Sequence, residues 1–402
     1  MSSSARALGI MQGTPPAPGK RPTLENWDLA PFNRWSFQNV RMVLPTAAIR
    51  RGAGPASNLP RDHQGLDDLA VAGPDGQATT LAGLLEATEC DGFLVLHRGR
   101  VAHERYLNGM QAHTLHLSQS VGKSFVSTLV GILWGRGLLD LEKPVSHYLP
   151  ELAGRGYADA LLWQVLDMRS GVKFNEEDYG DVDAEIGMLD RAAGWKPHRA
   201  GQPETVIELI EALVQERPHG GHFVYRSIET EVLGWLVARV AGMPLVEVMS
   251  RELWGPMGAE FDADFTVDRD GTALASGGLN AALRDYGRFG QLFLDQGCID
   301  GRQVVPAEWV AQCRRGDRAA FAVKYADYFP SHPEACYSRQ WWVLDPARGR
   351  HVALGIFGQM VWVDPADRLV VVALSTWPDY LDPARRGALF KACEAIGRAL
   401  NS

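Results

Sequence analysis

Two strand-rich stretches lie far apart in the chain, and most of what separates them reads as helix. Asp91-Gly92 opens the run FLVLHRGRVAHERYL (93–107), in which two short apolar-rich segments flank His97-Arg98-Gly99-Arg100 as in a hairpin. Far downstream, Gln340-Trp341-Trp342-Val343-Leu344 is followed by HVALGIFGQMVWVDP (351–365) and RLVVVALSTW (368–377). Asp364-Pro365-Ala366-Asp367 is the turn between the last two. Strands at both ends with helices between suggest two lobes. The expected fold is therefore α/β in composition and α+β in arrangement, with two lobes. The terminal segments form one antiparallel sheet flanked by helices, the middle forms an all-helical lobe, and the cleft between them is the default binding site.

The helical expectations follow apolar spacing. Helices are expected over 124–139, 158–168, 203–216 (PETVIELIEALVQE, with Pro203 at its start), 228–240 (ended by Gly242) and 280–295. In the last segment, PARRGALFKACEAIGRAL, Leu389, Cys393, Ile396 and Leu400 share one face, and Pro383 suits the first turn. Residues 1–23 are rich in Ser, Gly and Pro and read as a flexible arm. Residues 24–402 form one unit, with an α/β lobe over about 24–140 and 275–402 and a helical lobe over about 141–274.

Composition narrows the function. With 40 basic and 48 acidic residues the net charge is −8, and no basic run stands out, which disfavours nucleic acid as a partner. No apolar stretch is long enough to span a bilayer, and the first residues lack an apolar signal core, so no membrane partner is expected. Five cysteines, none in C-x-x-C, argue against a disulfide scaffold or structural zinc and favour the cytoplasm. Eleven scattered histidines, with no HExxH, give no metal site.

The segment Ser118-Gln119-Ser120-Val121-Gly122-Lys123-Ser124 carries the chemistry. Its Gly-Lys-Ser invites a nucleotide-binding reading, but a P-loop needs glycine where this chain has Leu117. The same stretch holds Ser-x-x-Lys, Ser120 to Lys123, at the head of a long apolar helix. There, residues i and i+3 share a face one turn apart. A serine hydroxyl is a weak nucleophile until a base takes its proton, and lysine is such a base only when burial or nearby charge lowers its pKa. The helix N-terminus adds N–H groups and a positive dipole end for an oxyanion. A second Ser-x-x-Lys, Ser170 to Lys173, has Gly171 after the serine and reads as a helix stop. Tyr225, in Gly220-Gly221-His222-Phe223-Val224-Tyr225-Arg226-Ser227 before the 228–240 helix, can reach a cleft and pass a proton. Gly355-Ile356-Phe357-Gly358-Gln359 places glycines inside strand-like sequence, where another backbone can approach closely and a second oxyanion N–H can be offered.

In this order the three motifs resemble the serine β-lactamase and penicillin-recognising superfamily, in its class C and esterase branch. The segment LLWQVLDMRSGV (161–172) also looks like that branch's LLTHTSGL stretch, which accounts for Ser170 as a helix end. A narrower likeness, to the 6-aminohexanoate-dimer (nylon-oligomer) hydrolases and their carboxylesterase relatives, covers nearly the whole chain after the arm. It rests on PTLENWDLAPFNRWSFQNV, FLVLHRG, SVGKSF, VSHYLPELAG, VLDM, NEEDYGDVDAE, DRAAGW, RQWW and GQMVWVDP. The resemblance implies a β-lactamase/transpeptidase-like fold with Ser120 as acylated nucleophile and Lys123 and Tyr225 as the acid–base network. The N–H groups of Ser120 and Ile356 become the oxyanion hole. Tyr179, Asp190 and Trp195 match the substrate-side loop, Trp341 or Trp342 the opposite wall, and Asp190 suits a substrate carrying an amine.

Two positions depart from the family's pattern. Phe357 stands where the nylon-oligomer hydrolases have His, and Ser276 where they have an Asn beside the substrate. Both bear on substrate choice, and Phe357 argues against efficient β-lactam hydrolysis. The expectation is a serine hydrolase forming an acyl-enzyme on small linear amides or short-chain esters. It needs no cofactor and no metal, its partner is the small-molecule substrate, and a homodimeric state is left open. The alternatives are a carboxylesterase without useful amidase activity and a non-catalytic binding protein on the same fold.

Overall fold

The computed structural model describes residues 4–177 and 179–402. Its main sheet has seven antiparallel strands, in the order Cys336–Ser338, Trp341–Asp345, Arg350–Gly355, Gln359–Asp364, Leu369–Ser375, Cys90–His97 and Arg100–Tyr106. The two distant strand-rich stretches meet where Val371 pairs with Val95 and Leu369 with His97. Between Cys90–His97 and Arg100–Tyr106 the turn residues Arg98 and Gly99 have φ of 51° and 76°. Two left-handed turn residues match the twist of a tight hairpin. In the next turn the Asp364 carboxylate accepts the N–H groups of Ala366 and Asp367 at 3.0 and 3.3 Å.

Both faces of the sheet are covered. Val370, Val372 and Leu374 pack with Phe289, Leu292 and Phe293 of the helix Leu283–Leu294. Leu369, Val371 and Ala373 pack with Leu389, Cys393 and Ile396 of the helix Pro383–Asn401. This is why the strand reads as a continuous apolar run instead of an alternating one. Helix Leu283–Leu294 sits close because Gly287 and Gly290 face the sheet. A Cβ at either would lie 2.4 Å from Leu94 or Val370.

A second, four-stranded antiparallel sheet, in the order Thr46–Ile49, Ala263–Thr266, Leu279–Ala282 and Leu115–Leu117, leads into the Ser120 segment. It corrects two expectations. Ala263–Thr266 is a strand inside the stretch read as helical, and the helix expected from 280 begins at Leu283 because Leu279–Ala282 pairs on both sides. Helices Gly122–Gly135 and Ile228–Ala241 lie near the expected spans, the latter ended by Gly242 at φ 67°. Those expected over 158–168 and 203–216 shorten to Leu162–Leu166 and Val206–Ala212, the second starting where the Thr205 hydroxyl caps the Glu208 N–H. The segment read as a flexible arm lies against the body: Ile10 is fully buried, and the Ala5 N–H donates to Asn108 Oδ1 at 2.8 Å. Among the described residues no single helix is long and apolar enough to cross a membrane.

Candidate active site

The strand Leu115–Leu117 delivers the chain to a tight turn. The Ser118 N–H donates to Leu279 O at 2.7 Å, and the Ser118 hydroxyl donates to Gln119 O at 2.8 Å. Gln119 then takes φ 47°, a left-handed conformation that a non-glycine residue adopts only when its surroundings hold it there. The 3₁₀ turn Gln119–Val121 follows and runs into the helix Gly122–Gly135, leaving Ser120 partly open at its head. Backbone from the main sheet closes on this turn. A Cβ at Gly355 would lie 2.7 Å from Ser118 O and 3.0 Å from Gln119 Cβ, so only glycine lets the strand end come this near.

Lys123 lies one helical turn after Ser120, with 2% of its surface exposed. Its Nζ donates to Ser120 Oγ at 2.8 Å and to Ser276 O at 3.0 Å, and sits 5.2 Å from the centre of the Tyr225 ring. Burial pulls its pKa down to about 8, against the opposing pull of the Glu176 and Glu231 carboxylates. That brings a neutral amine within reach near neutral pH, at hydrogen-bond distance from the hydroxyl it would deprotonate.

Tyr225 completes a triangle. Burial, and then the Glu176 charge, hold its phenol well above its ordinary pKa, partly offset by a hydrogen bond with Ser120. The phenol therefore stays an O–H, able to donate to one group and accept from another. Its ring is stacked on Trp342 (5.3 Å, 17° between planes), and its N–H donates to Tyr325 Oη at 3.2 Å.

Two carboxylates that were not singled out in the sequence support this triangle. Glu231, on the helix Ile228–Ala241, accepts the N–H groups of Ala275 and Ser276, both at 2.8 Å, and so aims the Ser276 carbonyl at Lys123. Glu176 accepts from the Tyr179 and Ser227 hydroxyls and from the Ser227 N–H. Glu176 lies within the quoted segment NEEDYGDVDAE, but nothing in its spacing tells its carboxylate from its neighbours. Glu231 looks like any polar residue of an amphipathic helix.

Two cavities, of about 590 and 820 Å³, share Ser120, Tyr179, Ile356 and Tyr380. Asp190, Trp195, Ser276 and Phe357 line the first, with Tyr179. Burial pushes Asp190 up to about 7, and the neighbouring Asp28 adds to the shift. Trp195 is held by Thr266 Oγ1 at 2.9 Å, and Phe357, at φ 59°, lies edge-on to Phe37 at 5.4 Å. Ser276 reaches the wall, but its N–H is engaged by Glu231 and its carbonyl by Lys123. Trp342 lines the second cavity beside Tyr225. Trp341 does not reach either: it is fully buried and stacked on Phe289 at 5.7 Å. Adjacent strand residues point to opposite faces, so only one of the two tryptophans can meet the cleft. Ser170 and Lys173 do not form a second couple. Ser170 is buried against Glu229, whereas Lys173 is exposed and lies 3.7 Å from Glu185. Among the described residues no group of His, Cys, Asp or Glu is placed to hold a metal ion.

A buried lysine on a serine hydroxyl, with a tyrosine closing the triangle beside the end of an interior strand of an antiparallel sheet, defines a class of serine hydrolase. The chain belongs to the β-lactamase family, whose model matches residues 78–395. A 6-aminohexanoate-dimer hydrolase from Paenarthrobacter ureafaciens is 40% identical over 369 residues, covering 91% of each chain. A solved structure from Bacillus anthracis, provisionally named a 6-aminohexanoate-dimer hydrolase, superposes with a TM-score of 0.87 at 27% identity, over 94% of this chain and 97% of that one. A class C β-lactamase from Rhodobacter sphaeroides shares the fold at 18% identity and a TM-score of 0.55, over 78% of this chain and 97% of the other.

Proposed function

We propose that this hydrolase cleaves small linear amides and short-chain esters, ω-amino-acid oligomers among them, through an acyl-enzyme on Ser120. The observation that carries the reading is the 2.8 Å contact between Lys123 Nζ and Ser120 Oγ in a site that holds the lysine's pKa near 8. Lys123 takes the Ser120 proton as Oγ attacks the carbonyl carbon. The oxyanion is met by the N–H groups of Ser120 and Ile356, and Tyr225 relays the proton held by Lys123 to the departing nitrogen or oxygen; water then attacks the acyl carbon, and the proton it loses returns through the same relay to Ser120 Oγ as the acid leaves. The test is intact mass after incubation with a fluorophosphonate probe. A single adduct that maps to Ser120 supports the reading, and a folded protein that takes no adduct overturns it.

Esters are the broader substrate class, because an alkoxide leaving group needs less protonation than an amine. Phe357 puts an apolar ring where a β-lactam carboxylate would need a cation, which argues against that substrate class. The cytoplasm is the proposed location, supported by five cysteines that are all free.

Asp190 is the proposed anchor for a substrate amine. Asp190→Ala is expected to lower kcat/KM for the 6-aminohexanoate dimer by about tenfold to a hundredfold, and to affect p-nitrophenyl acetate far less. Equal losses on the two substrates would refute the anchor. Because burial holds Asp190 near 7, its charge forms only as pH rises through that value, so the wild-type preference for the amine substrate over the ester should grow with pH across it.

The close approach at Gly355 makes a further prediction. Gly355→Val pushes the strand end away from Ser118 and carries the Ile356 N–H with it. A loss of about a hundredfold in kcat for p-nitrophenyl acetate is expected. Near-wild-type kcat would remove Ile356 from the oxyanion hole.

A further inference from the structure

Beyond Tyr225 and Trp342, the second cavity has a wall that the chemistry at Ser120 leaves unassigned. Along this side of the cavity three rings lie face to face. Tyr225 stacks on Trp342 at 5.3 Å, and Trp342 on Tyr328 at 5.2 Å, each pair with planes 17° apart. Arg386 continues the series, with its guanidinium carbon 4.3 Å from the centre of the Tyr328 ring and 5.0 Å from that of Phe329. One of its N–H groups donates to Tyr328 O at 2.8 Å. Tyr225, Trp342, Tyr328, Phe329 and Arg386 all face the cavity that opens at Ser120.

Several charged groups around Arg386 are paired, whereas Asp327 and Lys391, which also line the cavity, make no ion pair among the described residues. Lys324 is paired with Glu177, Arg385 with Glu89 and Asp382, and Glu394 with Arg350. Arg386 makes no ion pair among the described residues; it is half-buried and held by rings and one carbonyl. A guanidinium stays charged at any working pH, and stacking fixes its plane without using most of its N–H groups. A cation so placed, at the end of an apolar aromatic wall, suits a chain that is greasy along its length and anionic at its tip.

We propose that this cavity is the leaving-group subsite and that it takes apolar stems ending in a carboxylate, which Arg386 binds. The inference rests on the hydrolase reading, in which Tyr225 delivers its proton to the leaving group and so places that group on the Tyr225 side of Ser120. Asp190 then faces the acyl half in the first cavity and Arg386 the leaving half in the second. The favoured substrates are linear and zwitterionic, with the amine on the acyl part and the carboxylate on the part released.

The test compares 6-acetoxyhexanoate with 6-acetoxyhexanamide, which share acyl group and stem and differ in terminal charge. The wild-type enzyme is expected to favour the carboxylate by about tenfold to a hundredfold in kcat/KM, mostly through KM. Arg386→Gln should bring that ratio close to one. Arg386→Lys, a point charge without the fork, should keep part of it. A wild-type ratio near one, or a ratio that survives Arg386→Gln, overturns the proposal. p-Nitrophenyl acetate separates the two levels of the argument. Its Ser120-dependent turnover alongside a ratio of one removes the subsite alone. Absence of Ser120-dependent turnover of all three esters removes the hydrolase reading and the subsite with it.

Discussion

Replacing Ser120 with alanine is expected to lower kcat/KM for p-nitrophenyl acetate by about four orders of magnitude or more, as loss of the nucleophile does in other serine hydrolases. The change removes one oxygen from a partly open position at a helix head, so the fold should survive and thermal unfolding should stay close to wild type. The fluorophosphonate adduct should disappear with the activity. The reason is specific to the proposed mechanism, in which Lys123 and Tyr225 move protons, the backbone N–H groups meet the oxyanion, and Ser120 alone forms the acyl bond. Ser170, in the other Ser-x-x-Lys, cannot substitute, because it is buried against Glu229 and its lysine points to solvent. A Ser120→Ala enzyme with about half the wild-type rate would mean that another group attacks the substrate.

The second large effect concerns Lys123. In Lys123→Arg the group beside Ser120 stays charged at every accessible pH, so it cannot accept the hydroxyl proton. A loss of about a thousandfold or more in kcat/KM is expected. Lys123→Met keeps the length of the side chain without charge or base and should lose about as much, which separates the missing base from crowding by the larger arginine. The wild-type pH profile carries the sign. Below about 8 Lys123 is protonated and unable to act as base; above it the amine is free. The logarithm of kcat/KM should therefore rise with pH, flatten near 8, and lose this limb in Lys123→Met. A profile that falls across that range, or one unchanged in the variant, would mean that Lys123 is not the base.

The support around Lys123 explains why its pKa stops near 8. Burial alone would drive it lower, and Glu176 and Glu231 oppose the shift. Both carboxylates are held by hydrogen bonds from Ser227, Tyr179, Ala275 and Ser276. A fully neutral lysine would be a weaker base and a fully charged one no base, so the intermediate value is the useful one.

How much of this is legible in the sequence alone differs from element to element. The hairpin at Arg98-Gly99, the Asp364 turn and the apolar run 369–375 are local. Turn chemistry and uninterrupted apolarity mark them, and they stand where they were expected. The short strand Ala263–Thr266 is not legible in the sequence, because four residues paired on both sides carry no period of their own. The choice between Trp341 and Trp342 needed the strand's facing, which adjacent identical residues cannot reveal.

From the sequence alone came the antiparallel sheet assembled from two distant stretches and the serine–lysine spacing at the centre. Ser120 and Lys123 are one helical turn apart, and an i, i+3 spacing puts two side chains on one face whatever the rest of the chain does. Tyr225 and the Gly355–Gly358 segment could be named from their local surroundings, although their meeting with Ser120 could not. Only the tertiary structure decided what lies around that centre: the two carboxylates that hold Lys123 near 8, the removal of Trp341 to the core, and the ring stack that ends at Arg386. Those features join residues far apart along the chain, through burial and through-space charge. Such couplings depend on distances that only packing sets, and leave no spacing in the sequence to be read.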